Sequence, residues 1–175
     1  PSELRAYFMP FLQQCLRITI HAGETESAEN IWEAVYHLSA DRIGHGLKLT
    51  EHPELLKRFV DKHIGIEMCP SSNDQIVGFR VGFRNEPYPL KDYMNAGLKV
   101  SLNTDNAGIS RTTLSNEFLK AAELCGGLSL WECLVLIRNS LITAFIDAKT
   151  QKQLLNTFEN DIHDWCLANK NALLS

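Results

Sequence analysis

Apolar and polar positions alternate in four short runs. These are Ile18, Thr19 and Ile20, then the weaker Arg42 to Gly44, then Ile64 to Met68, and finally Lys99 to Asn103. A period of two over so few residues predicts strands. Between the runs the period lengthens: Ile31, Ala34, Val35 and Leu38 recur at helical spacing, as do Leu55, Leu56, Phe59 and Val60. Leu90 to Ala96 reads as a short helix, stopped by Gly97 in a left-handed turn. Ser2 to Arg17 reads as largely helical ahead of the first strand. Beyond the fourth strand the chain is helical. Leu114, Phe118, Ala121, Ala122 and Cys125 share one face, and Gly126-Gly127 ends that run. Ser129-Leu130-Trp131-Glu132 is a capping box opening a helix with Leu130, Leu134, Ile137 and Leu141 on one side. Thr150 to Gln153 predicts a second box leading into Leu154, Leu155 and Phe158.

Strands alternating with helices imply parallel βαβ units, hence an α/β fold. Such units suit a Rossmann-like sheet as well as half of a barrel. The position of the polar residues favours the barrel. His21 to Glu24 follows the first strand, His45 the second, Cys69 to Asn73 the third and Asp105-Asn106 the fourth. Polar residues gathered at the C-terminal ends of strands mark the active-site face of a TIM-type (β/α)8 barrel.

Composition narrows the class. At 175 residues, 45% hydrophobic and 22% charged, the chain suits one globular domain. A formal net charge of −4 offers no footprint for nucleic acid or an anionic membrane, and the apolar stretches are too short to span a bilayer. The five cysteines are odd in number and form no C-x-x-C pair, which points to reduced thiols in a cytoplasmic protein.

Four constellations carry chemistry. In His21-Ala22-Gly23-Glu24, a strand-end imidazole can bind a metal while Glu24 projects into the same cleft as an acid. The same residues also suit a surface loop with a helix N-terminal Glu. Gly44 and Gly46 flank His45, as a crowded site requires, although a solvated turn has the same pattern. Asp105 after a buried strand is costly unless paired or metal-bound, and its alternative is a helix cap. Cys69, in Met68-Cys69-Pro70-Ser71-Ser72-Asn73, reads as a buried structural thiol. His37, His52, His63 and His163 read as surface residues.

Taken in order, His-Ala-Gly-Glu, Gly-His-Gly, Cys-Pro-Ser-Ser-Asn and Asn-Thr-Asp resemble the adenosine deaminase family, from about Ile18 through Asn139-Ser140-Leu141 and Ala144-Phe145. The resemblance implies the C-terminal half of a barrel, strands five to eight and the helices after them. It also implies zinc-dependent conversion of a purine nucleoside, adenosine, to inosine and ammonia, with adenine or AMP as alternative substrates. By the same resemblance His21 and Asp105 are zinc ligands, Glu24 protonates the purine ring, and His45 orients the attacking water. The backbone of Gly23 and the side chain of Asn106 lie against the purine. Asn106 stands where many members carry a second Asp. The family's His-x-His pair occurs nowhere in the chain, so two further His ligands are expected from a missing N-terminal half. The chain, which starts at Pro1, is therefore expected to be a piece of a longer protein or to associate with a companion segment; the alternative, from the absent His-x-His pair, is a catalytically incomplete fragment or pseudo-enzyme.

Overall fold

A computed structural model describes residues 2–79 and 87–170 of the chain. After a 3₁₀ turn, the described elements run α1 (Arg5–Gln13), β1 (Thr19–Ala22), α2 (Ala28–Tyr36), β2 (Arg42–His45), α3 (Pro53–Lys62), β3 (Gly65–Met68), α4 (Pro70–Ile76), α5 (Leu90–Asn95), β4 (Lys99–Leu102), α6 (Ala107–Ser110), α7 (Leu114–Leu124), α8 (Leu130–Thr143) and α9 (Ala148–Ala168). The four strands form one parallel sheet in the order β1-β2-β3-β4, so the α/β expectation holds.

Register sorts the strand residues onto two faces. Ile20, Ile43, Ile66 and Val100 pair across the sheet, and the last three are fully buried. Helix residues such as Ile31, Leu55 and Phe59 join them in one apolar core. Each fully buried side chain of this size contributes about 1.5–3 kcal/mol. Alternation places Thr19, Arg42 and Gly65, then His21, Gly44, Glu67 and Ser101, on the opposite face. That face is polar: Arg42 forms an ion pair with Glu67, and the Thr19 hydroxyl donates to Glu67 Oε2 at 3.0 Å.

The C-terminal helices close the lower end. α8 lies against β4 and buries Leu136. Its last turn meets the strand starts, where Arg42 Nη1 donates to the Thr143 carbonyl at 2.9 Å and the guanidinium sits 3.6 Å from the Phe145 ring centre. Among the described residues no helix is long and apolar enough to cross a membrane.

Most predicted boundaries hold. Gly97 adopts φ +85° and Gly126 and Gly127 are also left-handed, as helix stops require. The Ser129 capping box is present in full. Ser2 to Arg17 is largely helical, as expected, although α1 ends at Gln13 and Cys15 then turns the chain with φ 56°. Two expectations fail. Thr150 does not open α9; Asp147 does, its carboxylate accepting from Thr150 N at 2.9 Å. Asp is as strong a cap as Thr, so the earlier acidic residue takes the helix start. Finally, β1 and β2 run on to Ala22 and His45, so both candidate histidines sit inside strands and not after them.

Candidate active site

The site is built at the C-terminal ends of β1 and β2. After His21 and Ala22 the chain turns at Gly23, whose φ is +69°. A Cβ there would lie 2.4 Å from Ile31 Cδ1, so both conformation and space demand glycine. The turn brings Glu24 inward, to 3% exposure, which removes the surface-loop alternative. His45, at φ 68°, is also left-handed. Strict alternation would send its side chain to the apolar face; the backbone twist turns it toward His21 instead, with ring centres 4.4 Å apart. It is 4% exposed, so the solvated-turn alternative also fails.

One residue ties these together. Asn73, in the first turns of α4, is completely buried. Its Nδ2 donates to Glu24 Oε1 at 2.9 Å and lies 2.9 Å from His45 Nδ1. Its Oδ1 accepts from Cys69 N at 3.3 Å and from the Tyr88 hydroxyl at 2.9 Å. Asn73 was legible as part of Cys-Pro-Ser-Ser-Asn but had no role on sequence grounds. Pro70 at the helix start was a usable signal, because it fixes α4 and turns Asn73 back toward the strand ends. Glu117 was missed altogether. Fully buried on α7, it accepts from Ser71 N at 2.9 Å and from the Thr112 hydroxyl, bracing the start of α4.

His21, Glu24 and His45 bring one ligand atom each within 4.8 Å of one another and could hold a metal ion. Glu24 lies 3.2 Å from His45 Nδ1 and 3.7 Å from His21 Nε2. Asp105 is outside that close group. It is exposed, at φ 54°, and lines the same cleft of about 470 Å³ with His21, His45, Glu67 and Cys69. Asn106 stands at the N-cap of α6, with Oδ1 accepting from the Ser110 hydroxyl at 2.5 Å, so Asn106 takes the cap position that Asp105 could have filled. Burial pushes the pKa of His45 down; the charge of Glu24 opposes that shift, and His21 reinforces it. Burial also raises the Cys69 thiol far above its ordinary value, which keeps it protonated and inert, in line with its structural reading. Of the remaining histidines, His63 and His163 are exposed, whereas His37 and His52 are half-buried.

Residues 1–161 match the sequence profile of the family described as Adenosine deaminase. The chain belongs to the adenosine deaminase family. An adenosine deaminase of Clostridium botulinum is 38% identical over 146 residues, covering 83% of this chain and 42% of that protein. The chain thus spans about two fifths of the length of the curated relatives it matches. Among solved structures, an adenine deaminase from Arthrobacter aurescens superposes with a TM-score of 0.82 at 25% identity, over 93% of this chain and 49% of that one. An N6-methyl-AMP deaminase from Arabidopsis thaliana gives 0.68 at 28% identity, over 87% and 44%. A zinc-bound amidohydrolase from Burkholderia ambifaria gives 0.83 at 21% identity, over 99% and 47%, a likeness of fold alone. Four parallel strands covering about half of each such structure match half of a (β/α)8 deaminase barrel.

Proposed function

We propose that the protein containing this chain deaminates adenosine hydrolytically, giving inosine and ammonia with the help of zinc. The observation that carries this reading is the close group of His21, Glu24 and His45 at the strand ends, whose two histidines line a cleft together with Asp105, in a chain of this family.

The donors fit a zinc ion. His21 is 58% exposed at its side chain, and neither it nor Asp105 has a side-chain hydrogen bond to any described residue. An imidazole and a carboxylate left free at one cleft are ordinary zinc ligands. Zinc, when bound, lowers the pKa of water toward about 7. Two more histidines, from a companion N-terminal half, would complete the set; the chain's own His21 and Asp105 fall short of the usual three.

The other residues do the organic chemistry. Water adds its oxygen to the ring carbon that bears the amine while the adjacent ring nitrogen takes a proton from Glu24. The proton water releases returns to the Glu24 carboxylate, and the proton left on the added oxygen passes to the amine as the carbon–nitrogen bond breaks, giving the carbonyl of inosine and ammonia. Asn73 holds Oε1 of Glu24, leaving Oε2 to carry that proton. His45 orients the water. With its Oδ1 taken by Ser110, Asn106 offers the purine its amide N–H groups, which suit a ring-nitrogen acceptor. The backbone of Gly23, free of any Cβ, lies against the ring.

Adenine and AMP are the competing substrates, since structural neighbours include an adenine deaminase and an N6-methyl-AMP deaminase. Comparing turnover of adenosine, adenine and AMP by the purified zinc-loaded protein tests the reading. Adenosine is expected to give the highest kcat/KM, and no turnover of any of the three would overturn it.

A further inference from the structure

We infer that Asn73 is a positioning residue that locks His45 in the tautomer with a bare Nδ1 and a hydrogen on Nε2, so that His45 meets the cleft as a hydrogen-bond donor. The argument starts with the amide's orientation, since an asparagine can be turned end for end. Here its sense is fixed by a group that can only donate: Cys69 N lies 3.3 Å from the oxygen. The Tyr88 hydroxyl donates to the same oxygen at 2.9 Å. Tyr88 is buried and keeps its proton, burial raising its pKa well above the ordinary value. The other end of the amide is therefore the nitrogen, which bears two hydrogens and has no lone pair to offer.

That nitrogen lies 2.9 Å from Glu24 Oε1 and 2.9 Å from His45 Nδ1. Its two hydrogens serve one acceptor each. His45 Nδ1 must then present its lone pair, and a neutral imidazole carries its hydrogen on Nε2, at the opposite edge of the ring. The rival arrangement has Nδ1–H donating to Glu24 across 3.2 Å. It would place a hydrogen-bearing ring nitrogen 2.9 Å from a hydrogen-bearing amide nitrogen, two donors face to face between buried side chains. What the His45 Nε2–H acts on rests on the deaminase reading, where it donates to the oxygen of water; the tautomer itself does not.

The test is a ring-nitrogen NMR spectrum of the protein labelled with 15N-histidine, at neutral pH. The His45 signals are identified as those lost in His45→Gln. In the unaltered protein we expect a lone-pair-type Nδ1 and a hydrogen-bearing Nε2. In Asn73→Asp, where a carboxylate acceptor replaces the donor, the hydrogen should move to Nδ1, and kcat on adenosine should fall about 100-fold with KM within a few-fold. A hydrogen-bearing Nδ1 in the unaltered protein overturns the proposal even if the variant fails to fold. An unchanged pattern in a folded Asn73→Asp overturns it too. The expected tautomer in a protein that turns over no aminopurine would sink the deaminase reading and leave this inference standing; efficient deamination with the other tautomer would do the reverse.

Discussion

Two parts of the site differ in how they are held. Glu24, His45 and Asn73 are buried and satisfy one another through hydrogen bonds supplied wholly by this chain. His21 and Asp105, which line a cleft with His45, are exposed and make no side-chain hydrogen bond to a described residue; His21 approaches Glu24 at 3.7 Å and the His45 ring at 4.4 Å between ring centres. The inner group is finished; the outer pair is poised for ligands that come from elsewhere. The difference teaches that the orientation of Glu24 and His45 is set by this chain's own contacts, whereas under the proposed function His21 and Asp105 need further ligands to hold a metal.

The strongest way to break this comparison is through Glu24. Glu24→Gln keeps the shape and the contact with Asn73, and should lower deamination by about 10²–10⁴-fold while the zinc content by elemental analysis stays unchanged. Loss of the metal in that variant would move Glu24 to the outer pair. Asn73→Ala comes next. It strips partners from Glu24, His45, Tyr88 and the Cys69 amide, and should cost about 3 kcal/mol by denaturant titration.

His45 gives a smaller, pH-dependent effect. Its folded pKa lies below the ordinary 6.5, so the unfolded chain binds the proton more readily. The stabilisation is complete above 6.5 and is lost as pH falls below that value toward the folded pKa. The thermal midpoint of the unaltered protein should therefore drop more steeply than that of His45→Gln as pH is lowered from about 7 to about 5. The smallest effect belongs to the outer pair. Asp105→Ala, measured on zinc-free protein, should shift stability by less than about 0.5 kcal/mol while abolishing stoichiometric zinc uptake. A large loss of apo stability there would show that Asp105 belongs structurally with the buried group.

The local parts of this design were legible in the sequence. Period-two runs located all four strands, and His21, Glu24 and His45 stood out because glycines and polar residues interrupt apolar patterns at strand ends. What escaped was whatever depends on distant partners. Asn73 acquires its role from residues 28 and 49 positions away, so no window around it carries the information. Glu117 carries no motif of its own and is buried where α7 docks on α4. The cap of α9 was misplaced because Asp147 and Thr150 are both good caps, and they hydrogen-bond each other. The close group of His21 with Glu24 and His45, excluding Asp105, depends on two left-handed residues whose φ no pattern announces.

The hydrogen bonds of Asn73 also set a timetable. Those of its Nδ2 join the start of α4 to the turn after β1 and to the end of β2, across 49 and 28 residues, so each must wait until its distant segment has docked. Closing such loops is entropically costly, and parallel strands offer no hairpin to shorten them. A refolding chain should regain its helical signal first and its buried Glu24–His45 pair last. The strand-end cluster would then be the last part of this chain to take its final geometry.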